Sequence, residues 1–241
     1  MRKQRFRDRT EAGQILAALL TAYANRGDVL ALALPRGGVP VGYEVAKALH
    51  IPLDVLVVRK LGVPGEEELA MGALAIGNVR ILNENIVRSM NISDATIDRV
   101  TAREQKELDR RESLYRNNHP AYDVQGRTIL LVDDGIATGA TMAAAIKALK
   151  QQQPAQIIVA VPTAPPSTCQ ELVEEGIEIV CVMQPEPFFG VGYWYEQFPQ
   201  VSDDEIASML EQAGQEQPAT EVKQKRAKGR SHNPPRVTAS T

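Results

Sequence analysis

The sequence predicts an α/β protein with a doubly wound, mainly parallel five-stranded sheet. Short apolar runs alternate along the chain with segments of helical periodicity, and this rhythm favours parallel strands joined by crossover helices. The runs are rich in Val, Ile and Leu, which is typical of strands covered on both faces. A chain of 241 residues is long enough for one substantial domain, which we place at residues 1–212.

The first predicted element is an amphipathic helix, because apolar residues recur at helical spacing between Ala12 and Tyr23. Basic residues before it and an Ala-Tyr-Ala triplet within it resemble a signal peptide. However, its longest apolar run is six residues, so the helix is favoured. The chain has no run of 18 apolar residues and only two cysteines, which predicts a cytoplasmic protein without a membrane span.

The core elements follow in a regular order. Strands are expected at 29–34, 55–58, 128–132, 157–161 and 177–183, and helices at 39–49, 141–150 and 167–175.

Two regions depart from this order. An insertion at about 61–122 contains possible strands at 69–75 and 79–82, then a charged helix from Ser93, which we expect to protrude and to face solvent or a partner. A region at about 184–212, which we expect to form a small aromatic hood, holds six of the chain's eleven aromatic residues. Within it, Ser202 and Glu205 indicate a capping box for a helix ending near Leu210. Residues 213–241 are polar with a local charge of +4, which predicts a disordered tail.

The most informative stretch joins the strand at 128–132 to the next helix. Two acids end the strand, where open α/β sheets bind ligands. Glycines and threonines then provide a tight turn, free amides and hydroxyls that can surround a phosphate. The candidate residues are Asp133, Asp134, Gly135, Ile136, Ala137, Thr138, Gly139, Ala140 and Thr141.

This pattern resembles the phosphoribosyl pyrophosphate (PRPP) motif of the type I phosphoribosyltransferases. The resemblance implies that Asp133 and Asp134 hold the ribose hydroxyls and that the loop from Gly135 to Thr141 holds the 5′-phosphate. Much of the rest of the chain before the tail is similar to a group of uncharacterised predicted phosphoribosyltransferases, which supplies no substrate.

Two further segments fit the resemblance. Arg36, Gly37 and Gly38 look like the family's pyrophosphate loop, whose strained peptide we expect at Arg36–Gly37; a plain Pro-Gly turn is the alternative. Arg59 and Lys60 resemble a cationic strand end that meets the leaving pyrophosphate, and 61–75 is the candidate lid; the alternative is a solvated charge pair. The implied catalytic residues are therefore Arg36, Arg59 and Lys60.

The implied reaction is transfer of the 5-phosphoribosyl group from PRPP to a nucleobase-like or other nitrogen acceptor, with Mg²⁺ as cofactor and release of pyrophosphate. Mg²⁺ would arrive with PRPP, with Asp133 and Asp134 as further ligands to consider. Phe188 and Trp194 are candidate acceptor contacts within an aromatic hood, although such rings also pack small subdomains. Ala137 stands where the 6-oxopurine enzymes have Asp, which disfavours hypoxanthine and guanine.

The charge balance limits the partners. A net charge of −3 gives the core no field for nucleic acid or a membrane, and leaves the basic tail as an open question. The sequence leaves the oligomeric state open, with a homodimer as one candidate.

The alternative function is a non-catalytic PRPP or nucleotide sensor of the same fold. A hydrolase with a two-Asp site is disfavoured, because the sequence lacks a second acidic cluster. The three histidines, His50, His119 and His232, do not have the spacing of a metal site.

Overall fold

A computed structural model describes residues 5–75, 79–116 and 122–216 of the chain. The predicted sheet is present, with five parallel strands. They are β1 (Val29–Ala33), β2 (Leu53–Val55), β6 (Thr128–Val132), β7 (Gln156–Thr163) and β8 (Glu178–Met183). Their order in the sheet is β2-β1-β6-β7-β8. The α/β fold class is therefore confirmed.

Helices cover both faces of this sheet. Side chains alternate along β1, so that Ala31 and Ala33 join one core cluster while Leu30 and Leu32 join the other. The first cluster includes residues of α1 (Arg9–Leu19) and α2 (Gly38–Leu49), and the second includes residues of α5 (Ala140–Gln151) and α6 (Pro166–Glu174). The winding direction thus reverses between β1 and β6, and ligands of doubly wound sheets bind at such a switch point.

A second, antiparallel sheet forms from β3 (Val58–Val63), β4 (Glu66–Ala75) and β5 (Val79–Leu82). The predicted strand at 55–58 was wrong, because the chain leaves the main sheet after Val55 and starts the second sheet at Val58. The candidate lid at 61–75 is a hairpin with an exposed turn at Pro64 and Gly65. Leu61 and Met71 are buried in the core, so most of this segment is packed.

Two helices complete the insertion, α3 (Glu84–Ser89) and α4 (Asp94–Arg116). The expectation that α4 faces only solvent or a partner is wrong, because it lies against β3, β4 and α7 (Asp203–Glu216). Its side chains Ile97, Val100, Leu108 and Tyr115 are buried in the same cluster as α1 and α2. Few apolar positions are sufficient when they share one face of a long helix.

The capping box is confirmed, because Glu205 N–H donates to Ser202 Oγ while Ser202 N–H donates to Glu205 Oε2. The helix it begins, α7, continues past the expected end at Leu210 to Glu216 and buries Ala213. The tail was predicted to begin at 213, so its first four residues belong to this helix, and the rest of the predicted tail, from 217 onward, lies outside the described residues. Among the helices the structure describes, none is both long and apolar enough to cross a membrane.

Candidate active site

Two loops meet at the switch point between β1 and β6. The first, which we call the Arg36 loop, covers residues 35–38, which follow β1 and include Gly38, the first residue of α2. The second, which we call the phosphate loop, covers residues 133–139 between β6 and α5. Because β1 and β6 are parallel neighbours, both loops lie at the carboxyl edge of the sheet. The sequence-predicted PRPP residues are therefore brought together.

The two loops approach so closely that glycine is required between them. A Cβ on Gly37 would overlap Oδ2 of Asp134, and a Cβ on Gly38 would lie 2.8 Å from the carbonyl oxygen of Val132. Real side chains cannot approach that closely, so the acid pair of one loop lies directly against the backbone of the other. The glycines thus place a candidate anion loop beside two carboxyl groups.

The phosphate loop is held in place from the neighbouring strand and helix. Ile136 N–H donates to the Thr163 carbonyl at 2.9 Å, and Thr168 Oγ1 donates to the Ala137 carbonyl at 3.2 Å. Gly139 has a φ of 74° and directly precedes α5, whose first-turn amides lack helical partners. Ile136 is buried, while most residues from Ala137 to Thr141, at the end of the loop and the start of α5, are accessible to solvent. This arrangement can accept a phosphate.

The two acids interact with each other. Asp134 N–H donates to Asp133 Oδ1 at 2.8 Å. Burial, and then the neighbouring Asp134 carboxylate, raises the pKa of Asp133 well above its ordinary value. Burial also raises the pKa of Asp134, and the adjacent Arg9 guanidinium opposes that rise.

Arg9 is a site residue that sequence reasoning missed. Its Nε donates to Asp134 Oδ2 at 2.8 Å, and its Nη1 donates to the Pro199 carbonyl at 2.7 Å. Its guanidinium carbon lies 3.8 Å from the centre of the Phe198 ring. The residue stands 125 positions from Asp134 in the sequence, so no local motif could have connected them.

The aromatic hood is assembled from both ends of the domain. Phe6 N–H donates to the Trp194 carbonyl and Glu196 N–H donates to the Phe6 carbonyl, so the amino-terminal segment pairs with the hood. Tyr195 Oη donates to the Asp134 carbonyl at 2.6 Å. The hood is thus tied directly to the acid pair, a contact that the aromatic composition alone does not indicate.

The hood's rings divide into buried and exposed groups. Trp194 is only 3% exposed and packs edge-on against Tyr193, so its main observed role is to fill the hood. Phe188 is partly exposed, and its ring centre lies 6.5 Å from that of Trp194. Of the two predicted acceptor contacts, Phe188 is therefore the more accessible.

Arg36 is exposed at the edge of the Arg36 loop. The cis peptide is at Pro35–Arg36, so the expectation of Arg36–Gly37 was wrong by one position. Burial and a 2.7 Å hydrogen bond to Asp203 raise the pKa of Tyr115 to about 12, and the positive charges of Arg111 and then Arg36 act against that rise.

Arg59 and Lys60 lie inside β3, not at the end of a main-sheet strand as the sequence indicated. Arg59 donates from Nε and Nη2 to Glu104 Oε2 of α4, at 3.0 and 2.6 Å. Glu104 is buried, so this pair attaches the hairpin to α4. Lys60 is exposed, and because strand neighbours alternate it belongs to the opposite face of β3 from Arg59. The structure does not bring these two side chains together at one position.

Within the described residues, no group of three or more His, Cys, Asp or Glu side chains could hold a metal ion. His50 ends α2 in a left-handed conformation, while His119 and His232 lie outside the described residues.

Together these features define a doubly wound α/β protein with a candidate phosphate and sugar site at its switch point. Residues 9–195 match the phosphoribosyl transferase domain family. The chain is 43% identical over 208 residues to the "Putative phosphoribosyl transferase Rv0571c" of Mycobacterium tuberculosis (strain ATCC 25618 / H37Rv), covering 86% of this chain and 47% of that relative. The chain belongs to the phosphoribosyl transferase domain family.

Two other similarities fit this result. The crystal structure of TT1426 from Thermus thermophilus is 39% identical, with a TM-score of 0.76 over 86% of this chain and 97% of that one. A ribose-phosphate pyrophosphokinase of Prochlorococcus marinus (strain MIT 9313) is 30% identical over 143 residues, covering 55% of this chain and 42% of that relative. The chain spans about half the length of the curated relatives it matches.

Proposed function

We propose that this protein is a PRPP-dependent phosphoribosyltransferase that moves the 5-phosphoribosyl group to a nitrogen acceptor and releases pyrophosphate. The observation that carries the proposal is the contact between the two loops, in which Gly37 lies against Asp134. PRPP has a 5-phosphate, two ring hydroxyls and a diphosphate. A site for it needs two anion loops on either side of a hydroxyl-binding group, and this edge of the sheet offers that order.

The donor-site residues have distinct roles in this proposal. The loop from Gly135 to Thr141, with the first turn of α5, holds the 5-phosphate. Asp133 and Asp134 accept hydrogen bonds from the ribose hydroxyls. The amide of Gly37 and the guanidinium of Arg36 hold the diphosphate as it leaves with its negative charge, while the Gly38 N–H already donates to the Leu34 carbonyl at 3.0 Å. Electrostatic stabilisation and orientation therefore provide the catalysis, without a covalent intermediate.

Mg²⁺ fits this site as a companion of the ligand. Carboxylate and phosphate oxygens are the ligands that Mg²⁺ prefers, and it commonly binds through one or two carboxylates plus substrate phosphates. Asp134 is already paired with Arg9, so we assign Asp133 as the carboxyl group available to the metal. When bound, Mg²⁺ supplies neutralisation of the diphosphate charge.

The roles of Arg59 and Lys60 differ. Arg59 is held by Glu104, and we propose that it supports the hairpin and does not contact pyrophosphate in this conformation. Lys60 remains the candidate cation from the hairpin. Arg36 is better placed than Lys60 to contact the diphosphate, because it lies in the loop whose Gly37 lies against Asp134.

The acceptor is proposed to lie beneath the hood, next to the phosphate loop. Val191 of the hood approaches Gly135 so closely that a Cβ there would lie 2.7 Å from Val191 Cγ1. The hood therefore covers the phosphate loop at Gly135. The partly exposed ring of Phe188 can stack on a flat heterocycle. Covering the site also limits hydrolysis of the reacting sugar.

The test is release of pyrophosphate from PRPP and Mg²⁺ in the presence of a panel of nucleobases and other nitrogen acceptors, each assayed with the unmodified chain and with Asp133→Asn. Acceptor-dependent release by the unmodified chain, lost in the variant, is the expected result. Tight PRPP binding without release with any acceptor would instead support a sensor of the same fold. Release that is equal in both proteins would contradict the assignment of the site.

A further inference from the structure

We propose that Arg9 is a positioning residue of the donor site. Its contacts, which we call the clamp, fix the Asp134 carboxylate and hold the hood against the phosphate loop. PRPP then binds tightly only when this clamp is intact. The inference rests on the proposed function, since it concerns the binding of the same donor. It assigns part of the donor site to the amino-terminal helix.

The clamp consists of three contacts that one guanidinium makes at once. Nε donates to Asp134 Oδ2, and Nη1 donates to the Pro199 carbonyl. The guanidinium also lies over the Phe198 ring, with 3.8 Å between Cζ and the ring centre. These contacts join α1, the phosphate loop and the hood. A rigid, planar fork suits such simultaneous contacts, whereas an ammonium group is a single point charge.

Burial indicates that the pair serves more than stability. The side chains of Arg9 and Asp134 are 10% and 13% exposed. Removing two charges from water is costly, so a fold is often as stable when a buried pair is replaced by apolar residues. A buried pair between a helix and a ligand loop does, however, fix a single orientation of the carboxylate.

Asp134 is held at its backbone as well as its side chain. Its N–H donates to Asp133 Oδ1, its carbonyl accepts from Tyr195 Oη, and Oδ2 accepts from Arg9. The Arg9 contact holds Oδ2 and thereby fixes the orientation of the whole carboxylate. A carboxylate that is already oriented loses less conformational freedom when the ligand binds.

The experiment measures the affinity of the full chain for PRPP with Mg²⁺ by titration calorimetry, using Arg9→Gln and Arg9→Lys. We expect Arg9→Gln to raise the PRPP Kd about tenfold or more, as for the loss of a hydrogen bond to a charged group. Arg9→Lys should recover part of that loss, because it restores the charge without the fork. Thermal melting of each variant shows that the titrated protein is folded.

Arg26→Gln is the matched control. Arg26 also pairs with an aspartate, Asp28, and lies over a ring, Tyr23, but it does so at an exposed position. Its replacement should change the Kd by less than about twofold, since exposed pairs contribute little. A second control places Arg9→Gln in an Asp134→Asn background, where the effect on Kd should fall below about twofold because the ion pair between the two side chains is already lost.

The outcomes separate the two proposals. If the unmodified chain binds PRPP and both Arg9 variants bind it equally well while folded, Arg9 has only a structural role and the inference is overturned, while the proposed function stands. A full Arg9→Gln effect in the Asp134→Asn background would also overturn it. If the unmodified chain binds no PRPP, both proposals fall.

Discussion

The Arg36 loop and the phosphate loop, together the donor loops, occupy the same edge of the sheet as the hood. The donor loops and the hood are nevertheless built in different ways. Each donor loop is continuous in sequence, and its strand, glycines and helix follow one another without a long linker. The hood is closed by contacts between residues 5–9 and residues 191–199, which lie at opposite ends of the domain sequence. The first region can be interpreted from a motif, and the second only from the folded chain.

This difference suggests a division of roles. The donor loops use backbone amides and glycines, whose geometry is fixed by local sequence. The hood uses long side chains, Arg9 and Tyr195, to reach Asp134. Changes in the loops should therefore weaken donor binding most, and changes elsewhere should modulate it or leave it intact.

The largest expected effect concerns the acceptor at the phosphate loop. Because Ala137 offers no carboxylate, hypoxanthine and guanine should react about 100-fold to 10,000-fold more slowly than the best acceptor, the usual size of a general acid–base contribution. Steady-state rates with hypoxanthine, guanine, adenine, uracil and orotate check this. Turnover of either 6-oxopurine comparable to that of the best base would show that Ala137 carries no information about the acceptor.

The next effect is expected at the contact between the loops. Gly37→Ala puts a methyl group where Asp134 Oδ2 lies, so one loop must move and PRPP affinity should fall about 100-fold. Gly27→Ala is the control, because a Cβ at Gly27 meets nothing within 4 Å. Calorimetry with PRPP and Mg²⁺ compares the two variants, and equal affinities would remove the loop contact from the site.

A smaller effect is expected on α4, far from the acid pair in sequence. Hydrogen bonds from Arg110 and Arg111 lower the pKa of Glu107 to about 2, from an ordinary value of 4.5. Because the folded-state pKa is lowered, the pairs stabilise the fold above pH 4.5, and this stabilisation is lost as the pH falls towards 2.

Glu107→Gln should therefore reduce the free energy of unfolding by about 0.5 kcal/mol at neutral pH, as for other partly exposed pairs. The difference from the unmodified chain should shrink as the pH falls from the ordinary pKa of 4.5 towards 2. Chemical unfolding at several pH values measures this. A difference that stays constant with pH would show that the carboxylate charge is not involved, and PRPP affinity at neutral pH should not change.

The smallest effect is expected from the tail. Truncation after Glu216 should leave the melting temperature and PRPP affinity unchanged, because the removed sequence has too few apolar residues to join a core. Truncation after Gln212 is the informative comparison, since it removes the buried Ala213 and the contact of Glu216 with Tyr43. A large fall in melting temperature on truncation after Glu216 would show that the tail docks on the domain.

The sequence predicted the main sheet and the donor loops because both depend on local patterns. Apolar runs mark buried strands, and the acid pair with its glycines marks a strand that ends in an anion loop. It failed between Val55 and Val58, where one continuous apolar run divides between two sheets. Periodicity reports burial and does not report which sheet buries a residue.

Tertiary contacts account for the other differences. The resemblance predicts that Arg59 contacts pyrophosphate, and the structure adds a partner that no local pattern indicates, Glu104, 45 positions away on α4. Arg9 was not singled out for the same reason, since its meaning depends on Asp134 and Pro199. A charged residue at the start of an amphipathic helix has no pattern that distinguishes a solvated position from a buried ion pair.

The most direct test of the donor site is a calorimetric titration of the full chain with PRPP and Mg²⁺, repeated with Asp133→Asn. Asp133 is the cleaner of the two acids for this purpose, because Asp134 also holds Arg9. We expect one PRPP to bind per chain, and the folded variant to bind it at least about tenfold more weakly, as for the loss of a charged hydrogen-bond acceptor. Equal affinity in the two folded proteins would contradict the assignment of this edge of the sheet as the donor site.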